Sequence, residues 1–270
     1  PRGARVPHGA ITDLASVDRL PAELGDYDDR LVFLAGHGDP LQHPQFAEVC
    51  RVLRAAGVCG LGVATPLVDL SDRNLDALFA HQIDVVEVQI DAHSPQGYQR
   101  VHGTDRFQQV RDNAARIEAA RLARQQPQPI LVPSLIRCAA TMDELEPFYE
   151  YWVRESGSAV IGGYNDYCGV LPPDSLLPTV SSLREPCRRL STRLMLLADG
   201  TVGLCSQDVR GEMQLGSWTR DSLHDVWSGM KLAVARHAHS SLRLEALPLC
   251  RRCHEWGRPY GPGLMGLGLD

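Results

Sequence analysis

Four cysteines in the last third of the chain are spaced in a way that could hold a metal centre. They are Cys187, Cys205, Cys250 and Cys253, of which the last two form a Cys-x2-Cys pair. Such a pair places two thiolates on one tight turn, and four thiolates complete either a tetrahedral zinc site or a 4Fe–4S cluster. Disulfide bonds are the alternative, but 8 cysteines in 270 residues are too few for a disulfide scaffold. The spacing predicts a four-cysteine metal site and leaves zinc and iron–sulfur open.

A second candidate site follows an apolar run near the start of the chain, at GHGDP (36–40). Glycine at positions 36 and 38 would let the backbone approach a ligand closely, and Asp39 could bind a cationic ammonium group. Parallel α/β folds bind ligands at the carboxyl ends of their strands. The segment predicts a ligand-binding turn, with a plain connection between a strand and a helix as the alternative.

The elements that would position these residues alternate from Leu31 to about Tyr164. Apolar runs predict strands at 31–35, 59–64, 84–90, 129–136 and 159–162, and helices are predicted at 44–56, 72–82, 105–124 and 141–154. Near-continuous apolar runs are typical of strands buried on both faces of a parallel sheet, and short connections imply right-handed crossovers. The predicted fold class is therefore α/β with a parallel sheet.

The alternation of strands and helices ends near Tyr164, and the amino-acid composition changes after it. Residues 169–186 are rich in proline and serine, and Arg193–Cys205 holds two apolar runs around Asp199-Gly200, a strong hairpin signal. A short helix is predicted at 220–229. We predict a first domain at 1–170, a linker at 171–186 and a small cysteine-rich α+β domain at 187–270.

Composition and net charge argue against some classes of protein. The net charge is −6, the pI is near 5.9, and hydrophobic residues make up 44% of the chain. An acidic balance argues against binding to a nucleic-acid backbone. The sequence contains no apolar stretch long enough to cross a bilayer and no signal-like segment, so we predict a soluble, cytoplasmic protein without a membrane partner.

The C-terminal region resembles the SPASM/twitch domain of radical S-adenosylmethionine (SAM) enzymes. The resemblance covers Cys187–Trp256 and rests on the Gly-x4-Cys of GTVGLC, on LGSWTRDSLHDVW and on the final Cys-x2-Cys. It implies that Cys187, Cys205, Cys250 and Cys253 bind one auxiliary 4Fe–4S cluster, as in the twitch type. Together with the alternating elements, it implies a partial parallel (β/α) barrel of the radical SAM, TIM-like type.

The segment GHGDP (36–40) resembles the family's Gly-Gly-Glu-Pro motif, which engages the amino group of SAM. Two further segments, GVATPLVDLS (62–71) and VEVQIDAHSPQGYQRVHGTDRFQQVRDN (86–113), resemble the family's third- and fourth-strand regions. Asp39 stands where Glu is commoner, and Gln89 where Ser is usual. Helix capping is the alternative role for Asp91. The SAM-binding residues implied are Gly36, His37, Gly38, Asp39, Pro40, Thr65, Gln89 and Asp91.

The Cys-x3-Cys-x2-Cys loop that binds the SAM-cleaving 4Fe–4S cluster in this family is absent from the sequence. The chain begins with Pro1, and residues 1–29 resemble the segment just after that loop. We expect the second cluster to lie on a segment upstream of this chain, with a degenerate member as the alternative. Parts of the middle of the chain also resemble the spiroSPASM subgroup, in which such a unit follows a nucleotidyltransferase-like domain.

Two residues at predicted strand ends are candidates for catalysis. Arg137 could bind a carboxylate or phosphate of the substrate, or form an ordinary ion pair. Cys168 could donate a hydrogen atom to a substrate radical, ligate the auxiliary cluster, or be structural.

The resemblance implies a radical SAM oxidoreductase. A 5′-deoxyadenosyl radical would abstract hydrogen from a sugar-like, small-molecule or peptide substrate, and the auxiliary cluster would accept an electron in a net oxidation. Flavodoxin or ferredoxin would be the electron donor. The alternatives are a non-catalytic binding module with a zinc or iron–sulfur site, and an ordinary barrel enzyme with a structural zinc.

Overall fold

The computed structural model describes residues 11–25, 29–36, 38–174 and 183–257 of the chain. Contacts divide these residues into two units. The sheet unit comprises the described residues between 20 and 164. The cysteine unit comprises the described residues 11–19 and those from 165 to 257.

The sheet unit is built on five parallel strands in the order β1-β2-β3-β4-β5. The register pairs Leu31 with Gly60, Gly62 with Val85, Val85 with Ile130, and Ser134 with Val160. All carboxyl ends therefore lie at one edge of the sheet. The strands are β1 (Leu31–Leu34), β2 (Gly60–Thr65), β3 (Val85–Gln89), β4 (Ile130–Arg137) and β5 (Val160–Gly163).

In the described part of the chain, helices accompany the sheet, five of them in the crossover connections and one ahead of the first strand. They are α2 (Leu20–Leu24), α3 (Phe46–Ala55), α4 (Asp72–Ala80), α5 (Pro95–His102), α6 (Phe107–Ala123) and α7 (Leu145–Ser156), after α1 (Leu14–Val17) of the cysteine unit. Serine side chains cap two of them: Ser71 accepts from the N–H of Asn74 at 3.1 Å, and Ser94 from that of Gly97 at 3.0 Å. These caps satisfy N–H groups that a helix start leaves without partners.

The core of the sheet unit lies between the strands and the apolar faces of these helices. Its fully buried side chains include Leu53, Leu61, Leu78, Ile117 and Phe148. Cys50, on the core face of α3, is also fully buried, as the spacing of its apolar neighbours predicts.

The cysteine unit holds an antiparallel three-stranded sheet in the order β6-β7-β8. Its strands are β6 (Met195–Leu196), β7 (Thr201–Gly203) and β8 (Gln214–Ser217). Its helices after residue 165 are α8 (Arg189–Thr192), α9 (Leu223–Ser228), α10 (Met230–Ser240) and α11 (Pro248–Arg252). One side of this unit packs around Leu190, Leu204, Leu232 and Leu244.

The predicted α/β class with a parallel sheet is confirmed. The division between the units falls after Tyr164. The predicted linker at 171–186 stays a prediction, and residues 175–182 of it lie outside the described part of the chain. In that described part, no helix has the length and apolar character needed to cross a bilayer.

Candidate functional site

The four late cysteines surround one pocket in the cysteine unit. Cys187 lies just before α8, Cys205 follows β7, Cys250 lies on α11, and Cys253 ends that helix. The pocket lining also includes Arg184, Arg189, Leu190, Gln207, His239, Leu249 and Trp256. The structure thus brings the four predicted ligands together, although most of the cysteine unit separates the first from the last in sequence.

A tight turn places Cys205. Gly200 has φ = 89°, a left-handed conformation that side chains rarely adopt, and a Cβ there would meet Thr219 Cγ2 at 2.9 Å. The N–H of Thr201 donates to Asp199 Oδ1 at 2.9 Å, which closes the turn. The Asp-Gly pair therefore directs β7 and the cysteine after it toward the pocket.

A single helical turn places the Cys-x2-Cys pair. Pro248 stands in the first turn of α11, where the missing N–H of proline costs nothing. The N–H of Cys253 donates to the carbonyl of Cys250 at 3.2 Å, which ends the helix. Both thiols therefore leave the same turn, as the spacing predicts.

Burial and mutual repulsion oppose charge on two of the thiols. Burial raises the pKa of Cys205 to about 12, and neighbouring Cys253 and Cys187 contribute to this rise. Burial raises the pKa of Cys250 to about 12 as well, with contributions from Cys205, Cys253 and Cys187. These thiols feel one another electrostatically, so a set of four thiolates requires a cationic centre between them.

Cys253 behaves differently from the other thiols. A hydrogen bond from Cys168 lowers the pKa of Cys253 to about 7, and the N–H of Glu255 donates to Cys253 Sγ at 3.3 Å. The same bond raises the pKa of Cys168 above its usual range. In this pair the hydrogen bond favours the thiolate form of Cys253 and the thiol form of Cys168.

Two arginines that the sequence analysis did not single out support the pocket. The Arg184 guanidinium donates to the carbonyls of Cys250 and Cys253 at 2.9 and 3.1 Å, and its centre lies 4.6 Å from the ring centroid of Trp256. Arg189 is buried, donates to the carbonyl of Glu255 at 2.5 Å and lies 3.8 Å from its carboxylate. Their positive charges favour an anionic centre in the pocket.

The donor set fits a thiolate-bound metal centre. Four soft sulfur ligands are typical of zinc or an iron–sulfur cluster. Within residues 11–25, 29–36, 38–174 and 183–257, no three histidine, cysteine, aspartate or glutamate side chains form a group that could hold a single metal ion. The four thiols instead line a shared pocket.

The predicted SAM turn follows β1 in the sheet unit. Gly36 has φ = 128°, a conformation that favours glycine. His37 lies outside the described residues. Asp39 and Pro40 begin a 3-10 helix (Pro40–Gln42), and Asp39 Oδ1 accepts from the N–H of Leu41 at 3.0 Å.

A hydrogen bond joins two of the predicted SAM segments. The hydroxyl of Thr65, the last residue of β2, donates to Asp39 Oδ1 at 2.8 Å, and Thr65 Oγ1 accepts from the N–H of Leu67 at 2.9 Å. Thr65 is fully buried. Asp39 is therefore fixed in place from a neighbouring strand, and it also caps the turn that follows it.

The remaining predicted residues lie at the ends of β3 and β4. Gln89 is the exposed last residue of β3. Asp91 lies beyond that strand with φ = 52°, so strand alternation does not relate it to Gln89, and its Oδ1 accepts from the N–H of Ile136 at 2.8 Å. Ser94, not Asp91, caps α5. Arg137 ends β4, is half-buried, and has no side-chain hydrogen bond or ion pair to any described residue.

Cys168 belongs to the cysteine unit. It is 6% exposed and packs with Leu249 and with Cys253, which is 8% exposed. Three roles for Cys168 follow from the sequence, but its contact with Cys253 does not, because the two cysteines lie far apart in the sequence.

Comparisons with known proteins agree with this arrangement. Residues 187–254 match the family model of the SPASM domain, described as an iron–sulfur cluster-binding domain. An uncharacterized protein of Treponema pallidum (strain Nichols) is 27% identical over 266 residues, which are 94% of this chain and 72% of that protein.

Solved structures share the fold. BtrN in complex with AdoMet and 2-DOIA has a TM-score of 0.59 and 15% identity, with 93% of this chain and 84% of that chain covered. Native anSMEcpe with bound AdoMet and Kp18Cys peptide has a TM-score of 0.63 and 14% identity, with 91% and 82% covered. The predicted resemblance to radical SAM enzymes with a C-terminal SPASM domain is thereby confirmed for the fold and the C-terminal domain.

Proposed function

We propose that this chain is a radical SAM-type oxidoreductase in which Cys187, Cys205, Cys250 and Cys253 hold one auxiliary 4Fe–4S cluster. The observation that carries the proposal is the coincidence of two independent findings. The four thiols line one pocket, and they fall within or at the start of the region that matches an iron–sulfur cluster-binding domain.

The chain's own residues prepare the pocket for such a group. Cys253 accepts hydrogen bonds from Cys168 and from the N–H of Glu255, which stabilise its thiolate. Arg184 fixes the carbonyls of the Cys-x2-Cys turn and so holds two of the ligands in place. The apolar residues Leu190, Leu249 and Trp256 limit access of water, which protects an iron–sulfur site and tunes its potential.

We place SAM at the carboxyl edge of the parallel sheet, with its amino group toward Asp39. The two solved relatives described above contain AdoMet. Thr65 holds Asp39 in position through its 2.8 Å hydrogen bond. Gly36 and Gly38 leave open backbone, since a Cβ built at either meets no atom within 4 Å. Pro40, Gln89 and Asp91 complete the proposed site, with His37 outside the described residues.

When SAM and its 4Fe–4S cluster are bound, such a site supplies a 5′-deoxyadenosyl radical for hydrogen abstraction, and the cofactors carry this chemistry. The chain's part would be to bind SAM, to orient the substrate and to hold, through its four cysteines, a cluster able to accept an electron. We expect flavodoxin or ferredoxin as the electron donor. The eight cysteines of this sequence do not include the Cys-x3-Cys-x2-Cys loop that binds the SAM cluster in this family.

The substrate class is proposed from the relatives and from Arg137. BtrN was solved with 2-DOIA and anSMEcpe with a peptide, so we propose a sugar-like, small-molecule or peptide substrate. Arg137 stands at the end of β4 without a partner among the described residues. A half-buried guanidinium in that position would bind a carboxylate or phosphate of the substrate in bidentate fashion.

The deciding experiment is the metal content and visible spectrum of protein prepared without oxygen. About four irons and four sulfides per chain, with a brown colour, would support the cluster. One zinc and no colour would overturn the redox function and leave a structural thiolate site. A Cys59→Ser variant is the matched control, since Cys59 is exposed and lies in the sheet unit.

The SAM site has its own test, because it lies in the sheet unit. Equilibrium binding of SAM to the purified chain should weaken at least about tenfold in Asp39→Ala, given the strength of a charge-assisted hydrogen bond. Glu48→Ala is the control, because Glu48 pairs with Arg51 on the outer side of α3. Equal SAM affinities for wild type and Asp39→Ala would remove Asp39 from the site.

A further inference from the structure

A fifth cysteine lies behind the four proposed ligands. Cys168 is 6% exposed and packs with Leu249 and Cys253. Four thiolates already satisfy a 4Fe–4S cluster, so the cluster does not require Cys168 as a ligand. A buried thiol in contact with a metal ligand can act on the centre without binding it.

The backbone brings Cys168 to this position by an unusual path. Tyr167 and Cys168 have φ of 50° and 59°, and Gly169 has φ of 84°. The side chains of Asn165 and Asp166 accept from the N–H groups of Tyr167 and Cys168 at 2.9 and 3.1 Å. Non-glycine residues adopt this conformation only where surrounding contacts hold them there. The segment is thus built to present the Cys168 side chain to its neighbours.

Cys168 and Cys253 pack together in one buried cluster, so the Cys168 thiol can donate to the Cys253 sulfur once a metal is bound. A ligating cysteine is a thiolate and carries no proton. The proton between Cys168 and Cys253 therefore belongs to Cys168, which donates S–H to Cys253 Sγ. The N–H of Glu255 donates to the same sulfur at 3.3 Å. Cys253 thus receives two hydrogen bonds.

A second, independent observation concerns Gln207, which lines the thiol pocket and shares a neighbouring pocket with Cys168. Gln207 is 1% exposed, and neither its Oε1 nor its Nε2 has a partner within the described part of the chain. It lines the thiol pocket, and it also lines an adjoining pocket with Cys168, Asp208, Arg210 and Arg252. A buried amide without hydrogen bonds is costly. An acceptor bound in the thiol pocket would satisfy its N–H2 group.

We propose that Cys168 and Gln207 donate hydrogen bonds to the sulfur ligands of the auxiliary cluster and so raise its reduction potential. Cys168 donates to Cys253 Sγ, and Gln207 donates its side-chain N–H to a sulfur of the same thiolate shell. Hydrogen bonds to ligand sulfur stabilise the reduced, more negative state of a cluster and so raise its potential. Both are positioning residues that act through the sulfur ligands. This inference rests on the proposed cluster-binding function.

The test is a redox titration of the auxiliary cluster, followed by visible absorption and electron paramagnetic resonance. Cys168→Ala and Gln207→Leu remove the donors while leaving all four ligands. We expect both variants to bind the wild-type amount of iron and to have a more negative potential. Cys168→Ser keeps a hydroxyl donor, so its potential should return toward wild type. Cys59→Ala and Gln126→Leu change exposed residues of the sheet unit and should leave the potential unchanged.

Three results would overturn the inference. Unchanged potentials in both donor variants would show that neither residue acts on the cluster. Loss of iron from Cys168→Ala, with a folded chain by circular dichroism, would make Cys168 a ligand. A wild-type protein that binds zinc and no iron would overturn the proposed function itself. Should Cys168→Ala fail to fold, the comparison of Gln207→Leu with Gln126→Leu decides the question.

Discussion

The sheet unit and the cysteine unit differ in the interactions that stabilise each of them internally. The five parallel strands pair in continuous register, and most side chains in the core between them and the helices are apolar. The cysteine unit has short strands, and its pocket is lined by thiols and buried polar groups. Its buried atoms Gln207 Nε2 and His239 Nε2 have no partner among the described residues.

This difference indicates which of the two units is stable without a bound metal. A domain with a sufficient apolar core does not need a metal, whereas a small thiol-rich domain gains much of its folding energy from one. Burial and the neighbouring thiols of Cys205, Cys253 and Cys187 raise the pKa of Cys250 and so oppose its charge when no metal is bound. We therefore expect the sheet unit to be stable without metal and the cysteine unit to depend on it.

The largest expected effect is the loss of one ligand. Cys250→Ser should abolish cluster binding and destabilise the cysteine unit by on the order of 5 kcal/mol or more, given metal-binding energies of about 10–16 kcal/mol in small thiolate domains. Hydrogen exchange measured by mass spectrometry should show increased exchange at 183–257 and unchanged exchange in β1 to β5. Uniform exchange changes in both units would contradict independent stability.

The second effect concerns the core of the sheet unit. Phe148 on α7 is fully buried, and Phe148→Ala should lower the free energy of unfolding of the sheet unit by about 3–5 kcal/mol through lost burial and a cavity. Iron content should stay at the wild-type level. Tyr149→Ala, at the next and 49% exposed position, is the control and should change stability little. Iron loss in Phe148→Ala would show that the units are coupled.

The third effect is a pH dependence of the stability of the sheet unit. Burial raises the pKa of Cys50 from 9.0 to about 12. The folded state thus keeps a proton that the unfolded chain loses, and stability present below pH 9 falls above it by about 1.4 kcal/mol per pH unit. Denaturant unfolding between pH 8 and 11 should show this slope in wild type and a smaller one in Cys50→Ala. Parallel curves would refute the assignment.

The smallest effect tests the hydrogen bond between Asp39 and Thr65. Thr65→Val keeps the side-chain shape but removes the donor to Asp39 Oδ1. We expect a loss of about 1 kcal/mol in stability and a few-fold weaker SAM binding. Urea denaturation and equilibrium binding measure the two quantities. A loss of stability with unchanged SAM affinity would make this bond purely structural.

The fold was more predictable than the contacts of the site. Apolar runs identified all five parallel strands, with ends close to those observed, because such strands are buried on both faces. The Asp199-Gly200 pair identified the hairpin, since few residues tolerate that turn. The helix α5 was missed, although Ser94 and Pro95 are typical of a helix start. The helix α10 was also missed, because its core side carries few large apolar residues.

Of the candidate site, spacing alone indicated the four thiols. The contact of Cys168 with Cys253 and the link between Asp39 and Thr65 depend on how distant segments meet. Local sequence patterns do not carry that information. Gln207 and Arg184 were missed for the same reason, since an isolated Gln or Arg in a loop has no distinguishing pattern. Residues that act through tertiary contacts require coordinates.

Trp256 gives the thiol pocket an optical property of its own. Its ring lies in the pocket lining, beneath the guanidinium of Arg184. An iron–sulfur cluster absorbs broadly and accepts excitation energy from a nearby indole, whereas zinc does neither. The fluorescence of Trp256 would therefore be quenched in the iron-loaded protein and stronger in the zinc-loaded or metal-free protein. Fluorescence of Trp256 would thus report which metal the proposed site holds.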